Sequence, residues 1–242
     1  MAAGHAIKSP VDEHQVAPYH ESVPIAEHRV IEPELLDEAN GEEARANLED
    51  LVKINRYFGG YRILRSIVSE FVRPDDRFSV LDIGAASGDM GAQLRLSHPN
   101  AAVIALDRKH EHLAQAANPK LAGDAFQLPF AATSFDFVFS SLFLHHFSNE
   151  QVAELLAKFR TIARRAVLAI DLERGPIAYH FLPATRWLFR WHRLLLHDGP
   201  VSVQAAFKRD ELLAIAREAG LAKARVNIHR PWGRLSLVAP VS

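Results

Sequence analysis

The sequence contains no cysteine. This absence excludes disulfide bonds, thiolate metal sites and cysteine nucleophiles, and nothing in the composition indicates an oxidising compartment. Any chemistry must therefore come from carboxylates, imidazoles, hydroxyls and the backbone.

A surplus of charge is also missing. The chain has 28 Lys and Arg against 29 Asp and Glu, a formal net charge of -1, so no global basic field favours nucleic acid as a partner. The opening stretch "MAAGHAIKSPVDEHQVAPYHES" lacks the apolar core of a signal peptide and the long apolar run of a membrane anchor. We therefore expect a cytoplasmic protein.

What is present is the composition of an ordinary globular protein. Of 242 residues, 48% are hydrophobic and 24% are charged, which is enough for one large α/β domain with a substantial core. Residues 1–30 mix Pro, His and charges without a period and predict a flexible segment. Residues 31–75 have helical periodicity and predict two or three helices that cap a site on the core, residues 76–242.

Within the core, strand-like and helical patterns alternate. The predicted strands are "FSVLDIG", "AAVIALD", "KLAGD", "SFDFVFSS" and "RAVLAIDL", and a closing hairpin is formed by "KARVNIHR" and "WGRLSLVAPV". Nearly all-apolar strands separated by helices are typical of a doubly wound parallel sheet with helices on both faces. Residues 176–205 predict a helical insertion after the fifth strand.

The first strand runs into a tight bend, "GAASGD" at residues 84–89. A dinucleotide-binding bend would read G-x-G-x-x-G, but Gly84 and Gly88 are spaced differently, position 86 is Ala, and no phosphate-loop lysine follows. Asp89 places negative charge where a pyrophosphate would lie. The bend therefore favours a ligand with a cationic end.

Two further acids follow the next two strands. Asp107 ends the second strand, roughly 20 residues beyond the bend, where an acid accepts the ribose hydroxyls in nucleoside-binding units. Asp124 closes the third strand. Because the carboxyl ends of parallel strands meet at one edge of the sheet, Asp82, Asp107 and Asp124 predict a single ligand site.

In these motifs and their order, the sequence resembles the class I S-adenosylmethionine-dependent methyltransferases, in particular the small-molecule branch with a menaquinone- or ubiquinone-methyltransferase-like core. The resemblance is carried by "VLDIGAASGD", "ALD" at 105–107 and "GDAFQLPFAATSFDFVFSSLFLHHF" at 123–147. It implies S-adenosylmethionine as cofactor and a Rossmann-like, mostly parallel seven-stranded sheet with an antiparallel last strand.

The resemblance also implies roles for single residues. The cofactor-binding residues would be Asp82, Gly84, Ala85, Ala86, Gly88, Asp107, Arg108, Asp124, Ala125, Ser140 and Ser141. The bend would contact the methionine half, Asp107 the ribose, and the two serines would lie beneath the sulfonium. Arg56 or Arg62 could reach the methionine carboxylate. Ala86 stands where many relatives have Gly, and it is tolerated if φ stays negative there.

The motif "LHHF" places His145 and His146 after the fourth strand. The sulfonium donor is already activated, so methyl transfer needs a base only for some acceptors, such as a weakly acidic hydroxyl. Imidazole, with a pKa near 6.5, suits that task. Adjacent side chains point apart, so we expect one histidine to serve as base or to position the acceptor, without choosing between them. No carboxylate cluster follows this strand, so we expect no metal.

The acceptor pocket is predicted from the segments outside the core. Tyr57, Phe58 and Tyr61 flank two glycines between helices, and Trp187 and Trp191 lie on an apolar stripe of the insertion. Arginines are interleaved with this stripe, so the insertion could also touch a membrane surface, an interpretation that we rank behind a substrate cap.

We therefore predict methyl transfer to oxygen of a hydrophobic small molecule, such as a phenol, quinol or polyketide of secondary metabolism. C-methylation of a similar acceptor and a non-catalytic cofactor-binding role stay open. Methylation of RNA or protein is disfavoured by the balanced charge and by "SSLF" in place of an Asn/Asp-Pro-Pro-Tyr/Phe tetrapeptide. The sequence is compatible with a monomer or a homodimer.

Overall fold

The computed structural model describes residues 25–39 and 41–241. Its centre is a seven-stranded sheet in the order β3-β2-β1-β4-β5-β7-β6. The strands are β1 Phe78–Ile83, β2 Ala101–Asp107, β3 Lys120–Ala122, β4 Phe135–Ser141, β5 Ala163–Leu172, β6 Arg225–His229 and β7 Arg234–Pro240. Strands β1 to β5 pair in parallel, whereas β7 is antiparallel to both of its neighbours. The predicted Rossmann-like sheet is confirmed.

The central strands are buried on both faces, which explains their uninterrupted apolar runs. Successive side chains of a strand point to opposite faces. Thus Leu81 and Val138 belong to one hydrophobic cluster, whereas Val80 and Phe137 belong to another. The core consists of two apolar layers, one on each side of the sheet.

Helices cover both layers. The helices are α1 Leu35–Glu38, α2 Gly41–Tyr57, α3 Gly60–Val68, α4 Asp89–Ser97, α5 Asn149–Ile162, α6 Pro176–Phe189, α7 Arg193–Ala205 and α8 Arg209–Glu218. Short 3-10 turns occur at His112–Gln115, where the sequence predicted a short helix, and at Leu144–His146. Helices α5 and α8 contribute to the first apolar layer, and α3 and α4 to the second.

The turn that carries the two histidines is fixed at both ends. On one side, the backbone N–H of Leu144 donates to Asp171 at the end of β5 (2.9 Å). On the other side, Ser148 caps α5 in a capping box with Gln151, an arrangement that satisfies two otherwise unpaired N–H groups. The loop after β4 is therefore a rigid element.

The N-terminal chain lies across the molecule. Residues 1–24 of the predicted flexible segment lie outside the described residues. Beyond them, Arg29 donates hydrogen bonds to the backbone oxygens of Ala205, His145 and Phe147. Residues 25–30 are thus held against the loop that follows β4 and the end of α7. Helices α6 and α7 form the predicted insertion and lie against this N-terminal part.

Candidate functional site

A cavity of about 1270 Å³ lies at the carboxyl ends of β1, β2 and β4 and is covered by α2, α6 and α7. Pockets for one drug-sized ligand measure roughly 300–1000 Å³. The cavity therefore has room for two ligands side by side. Its position is that of the ligand site in open α/β sheets.

The bend after β1 is held in place by Asp107. Both carboxylate oxygens of Asp107 accept backbone N–H bonds, one from Ala86 and one from Lys109 (2.9 Å each). Gly88 has a positive φ of 71°, and a Cβ there would lie 2.7 Å from the Cβ of Ala116. The bend and the end of β2 thus form one unit.

Ala86 departs from the expectation for this bend. Its φ is +46°, so the expected negative φ is wrong. This left-handed conformation, in which the N–H of Ala86 donates to Asp107, costs a residue with a Cβ roughly 1–2 kcal/mol. Ala86 lines the cavity nonetheless.

Asp82 presents a buried carboxyl group that lacks a full set of partners. Its Oδ2 has no hydrogen-bond partner among the residues that the structure describes. Burial, with smaller contributions from Asp89 and Asp107, raises the pKa of Asp82 to about 8. A ligand ammonium at this point would supply the missing donor and the compensating charge.

Most of the predicted cofactor-binding residues line one cavity. The lining includes Asp82, Gly84, Ala85, Ala86, Asp107, Arg108, Asp124, Ala125 and Ser141. The hydroxyl of Ser141 is buried and has no hydrogen-bond partner in the described part of the chain. Gly88 and Ser140 lie outside the lining, because Gly88 packs against Ala116 and Ser140 is buried within the sheet.

His145 lies between two buried carboxylates. Its Nδ1 is 2.6 Å from Oδ1 of Asp171, and its Nε2 is 3.6 Å from Oε1 of Glu34. Burial alone would favour neutral imidazole, but the two carboxylates outweigh it and raise the pKa of His145 to about 10. Burial also opposes ionisation of Glu34, yet its hydrogen bond from His145 and the charges of both histidines lower its pKa to about 2.

His146 occupies a different environment from His145. Its Nδ1 lies 3.8 Å from Oε1 of Glu34, and its side chain is 31% exposed. The two imidazole rings are tilted, with centroids 4.3 Å apart. Both histidines line the cavity, but only His146 has a partly exposed ring.

Sequence reasoning missed Glu34 and Asp171. Glu34 is positioned by Ser202, whose hydroxyl donates to its carboxylate, and by Asp198, which accepts the N–H groups of Leu35 and Leu36 (2.9 and 3.0 Å). Asp171 lies at the end of β5. The pattern that singled out Asp82 and Asp107, an acid at the end of a buried strand, could have found Asp171 as well.

One group of side chains has the spacing of a metal site. The ligand atoms of Glu34, His145 and His146 lie within 4.8 Å of one another. A cation bound there would displace the proton of His145, which Asp171 and Glu34 hold firmly. Ion pairing already accounts for the grouping, so the expectation of no metal stays a prediction.

A second buried network lines the cavity beside the bend. Arg234, at the start of β7, donates through Nη2 to Oδ1 of Asn55 (3.0 Å), and Asn55 donates to Asp89 (3.0 Å). The Nη1 of Arg234 has no hydrogen-bond partner among the described residues. Burial lowers the pKa of Arg234 to about 10, against the opposing effect of Asp171 and Asp89. The guanidinium therefore stays charged at neutral pH.

Arg234 lines the cavity, whereas the sequence had suggested Arg56 or Arg62. Neither of those residues lines the cavity. Arg62 lies over the ring of Trp232 (5.6 Å) instead. The sequence carried no signal for Arg234. An arginine at the start of a strand is common, and only the tertiary structure shows that this one is buried.

The predicted acceptor residues divide into two groups. Tyr57 and Phe58 line the cavity. Tyr61 is buried beside Asp89, which together with burial raises its pKa, and Trp191 stacks on Phe189 behind Phe58. Trp187 points to solvent. Phe58, just after α2, belongs to an apolar wall whose other members lie on α2, α6 and α7, including Leu48, Leu51, Phe181, Leu182 and Leu195.

Comparison with known proteins agrees with this geometry. Residues 80–166 match the family model described as a methyltransferase domain. A candidate O-methyltransferase from Nostoc punctiforme superposes with a TM-score of 0.60 at 18% identity, over 80% of this chain and 58% of that protein. A SAM-dependent methyltransferase from Aquifex aeolicus gives a TM-score of 0.58 at 16% identity, over 84% and 100%.

A third similar structure contains the cofactor. Human N-acetylserotonin methyltransferase, in complex with SAM, superposes with a TM-score of 0.57 at 16% identity, over 82% of this chain and 56% of that protein. No curated protein matches the sequence.

The fold and the cavity agree with the domain match, which assigns residues 80–166 to a methyltransferase domain. One of the superposed structures holds SAM, which supports S-adenosylmethionine as the cofactor of this domain. The resemblance recognised in the sequence is thereby confirmed, as is the prediction of an enzyme.

Proposed function

We propose that this enzyme transfers a methyl group to a hydroxyl oxygen of a hydrophobic small molecule, with His146 as the general base. One observation carries the proposal. A carboxylate-supported histidine, His146 beside Glu34, lies on the wall of a cavity whose other side is apolar. The human neighbour, named for N-acetylserotonin, also acts on a small molecule.

The cofactor end of the cavity offers a partner for each polar part of S-adenosylmethionine. The unsatisfied Oδ2 of Asp82 would accept from the ammonium, and Nη1 of Arg234 would donate to the carboxylate. Asp107 would accept from the ribose, and Asp124 and Ala125 would lie at the adenine edge. The bound cofactor supplies an activated methyl group, and these residues hold it in one orientation.

His146 is a better base than its neighbour. His145 has a carboxylate at each ring nitrogen and stays protonated to about pH 10, so it has no lone pair to offer. In His146 the Nδ1 faces Glu34. A proton on Nδ1 leaves Nε2 as an acceptor for the proton of a hydroxyl.

The apolar wall defines the class of acceptor. Aliphatic and aromatic side chains of α2, α6 and α7 surround the space beside the histidines. They would bind a ring or alkyl chain by excluding water, without specific polar recognition. A phenolic or quinol acceptor matches both this wall and an imidazole base.

The test separates proton removal from cofactor binding. In His146→Ala we expect kcat towards an alkyl-substituted phenol to fall by about 10²–10⁴, the usual share of a general base. The calorimetric affinity for S-adenosylhomocysteine should stay unchanged. His110→Ala, at an exposed position outside the cavity lining, is the matched control. Full turnover in His146→Ala would contradict the base assignment.

A further inference from the structure

The outer face of α6 is apolar although it faces solvent. Ile177, Trp187 and Leu188 are 58%, 82% and 77% exposed. Helical periodicity places them on one side of the helix, together with exposed Ala184. The opposite side of α6 packs through Leu182 into the molecule, so this apolar stripe is not part of the core.

The charge around this stripe has a single sign. From Arg174 to His197 the chain contains no Asp or Glu. Arg174 is buried and paired with Glu211, but Arg186 and Arg190 are exposed. The guanidinium of Arg186 lies 4.9 Å from the ring centroid of Trp187. Apolar and cationic side chains are thus both exposed near the C-terminal end of α6, a combination typical of helices that lie in a membrane interface.

Carboxylates of neighbouring elements do little to neutralise the exposed arginines of α6. Arg193, at the start of α7, pairs with Glu43 of α2. Glu173, just before the helix, pairs with Arg230. In the part of the chain that the structure describes, Arg186 and Arg190 have no carboxylate partner within salt-bridge distance, which leaves them available to an external anion.

The stripe is continuous with the mouth of the cavity. Ile177 belongs both to the exposed stripe and to the cavity lining, and Tyr57 of α2 is an exposed residue of the lining as well. Phe181 and Leu182 continue the lining inward along α6. An apolar molecule that lies against α6 would therefore meet apolar side chains from the surface to the histidines.

We propose that the outer face of α6 docks on an anionic lipid surface. Trp187 and Leu188 enter the headgroup region, and Arg186 and Arg190 contact lipid phosphates. No described helix is long and apolar enough to cross a bilayer, so the contact is interfacial. A route for the acceptor from this surface into the cavity rests in addition on the proposed function, whereas the lipid contact does not.

The experiment measures co-sedimentation with vesicles of phosphatidylcholine alone and of phosphatidylcholine mixed with phosphatidylglycerol, without cofactor or acceptor. We expect binding to the mixed vesicles and at least tenfold weaker binding to the neutral ones. The double variant Trp187→Ser/Leu188→Ser should lose at least tenfold in affinity for the mixed vesicles. Arg186→Glu/Arg190→Glu should abolish the preference for phosphatidylglycerol, and added salt should weaken wild-type binding.

A matched control variant is available on the same molecule. Leu96 of α4 is 78% exposed but has no second large exposed apolar residue on its helix, so Leu96→Ser should bind vesicles like the wild type. Vesicle binding that is absent in the wild type, equal for both lipids or unchanged in the double variant would overturn the proposal. A loss of self-association in the double variant, with no wild-type vesicle binding, would instead assign the face to a second copy of the chain.

Discussion

His145 is a buried cation, and its surroundings decide what it can do. Asp171 and Glu34 hold its proton, and the backbone N–H of Leu144 donates to the same Asp171. The imidazolium therefore joins the N-terminal segment, the loop after β4 and the end of β5. Glu34 in turn lies 3.8 Å from His146, so in the proposed function His145 is a positioning residue.

Removing His145 should destabilise the protein. The variant His145→Asn leaves Asp171 buried without its cation, a loss that typically costs about 3–5 kcal/mol. Urea unfolding near pH 7 measures the difference in the free energy of unfolding. His110→Asn, at an exposed position, should change it by less than about 0.5 kcal/mol.

The same residue gives the stability a pH dependence of known sign. The folded state raises the pKa of His145 from about 6.5 to about 10. The contribution of His145 to the free energy of unfolding is complete below about pH 6.5 and is lost as the pH rises through about 10. The free energy of unfolding of the wild type should fall across this window more steeply than that of His145→Asn. Identical pH slopes would show that the imidazolium does not contribute.

Among single residues, the sequence could indicate acids that end strands but not their partners. Asp82 and Asp107 stood out because each follows a buried apolar run. Glu34 and Arg234 lie far from these motifs along the chain, and only the packing of α1 and the pairing of β7 bring them to the cavity. A single sequence carries no local signal for such contacts.

At the scale of elements, the bend between β1 and α4 combines two functions. It turns the chain through two glycines with positive φ, and it directs the N–H of Ala86 to Asp107. The Cβ of Ala86 makes this conformation costly. The strain lies in a bend that lines the cavity, and backbone strain is common at functional sites.

Replacing Ala86 with glycine should therefore stabilise the protein. Ala86→Gly removes the strain of the left-handed backbone, which is roughly 1–2 kcal/mol. Glycine also makes the unfolded chain more flexible, which destabilises the folded state by about 0.4–1 kcal/mol. We therefore expect the free energy of unfolding, measured in urea, to rise by about 0.5–1 kcal/mol. Ala92→Gly, at an exposed position inside α4, should instead destabilise by about 0.5–1 kcal/mol. A lower free energy of unfolding in Ala86→Gly than in the wild type would contradict the presence of backbone strain at Ala86.

Periodicity predicted most of the elements but not their environment. Strands, the break between α2 and α3, and the closing hairpin follow from apolar runs and turn residues. The stripe on α6 was expected to line a pocket, yet Trp187 points outward and Trp191 packs behind Phe58. A helix in an insertion has apolar residues on more than one side, and the sequence does not say which side meets the core.

At the scale of the whole molecule, the sheet and the helices that cover the cavity contribute different parts of its lining. The carboxyl ends of β1, β2 and β4 supply polar groups to the cavity, where we propose that the cofactor binds, and α2, α6 and α7 supply the apolar wall. Glu34 and the two histidines lie where the two parts meet. Fold class and cofactor could be predicted because their motifs are local, whereas the wall is built from interchangeable apolar residues.

The central claim is transfer of a methyl group to oxygen, and the product itself tests it most directly. The enzyme would be incubated with S-adenosylmethionine labelled with ¹³C in the methyl group and a panel of alkyl-substituted phenols and quinols, and the product examined by carbon NMR. The account predicts a labelled methoxy group, formed by the wild type and largely lost in His146→Ala. A label on a ring carbon or on nitrogen, or an undiminished methoxy signal in His146→Ala, would contradict it.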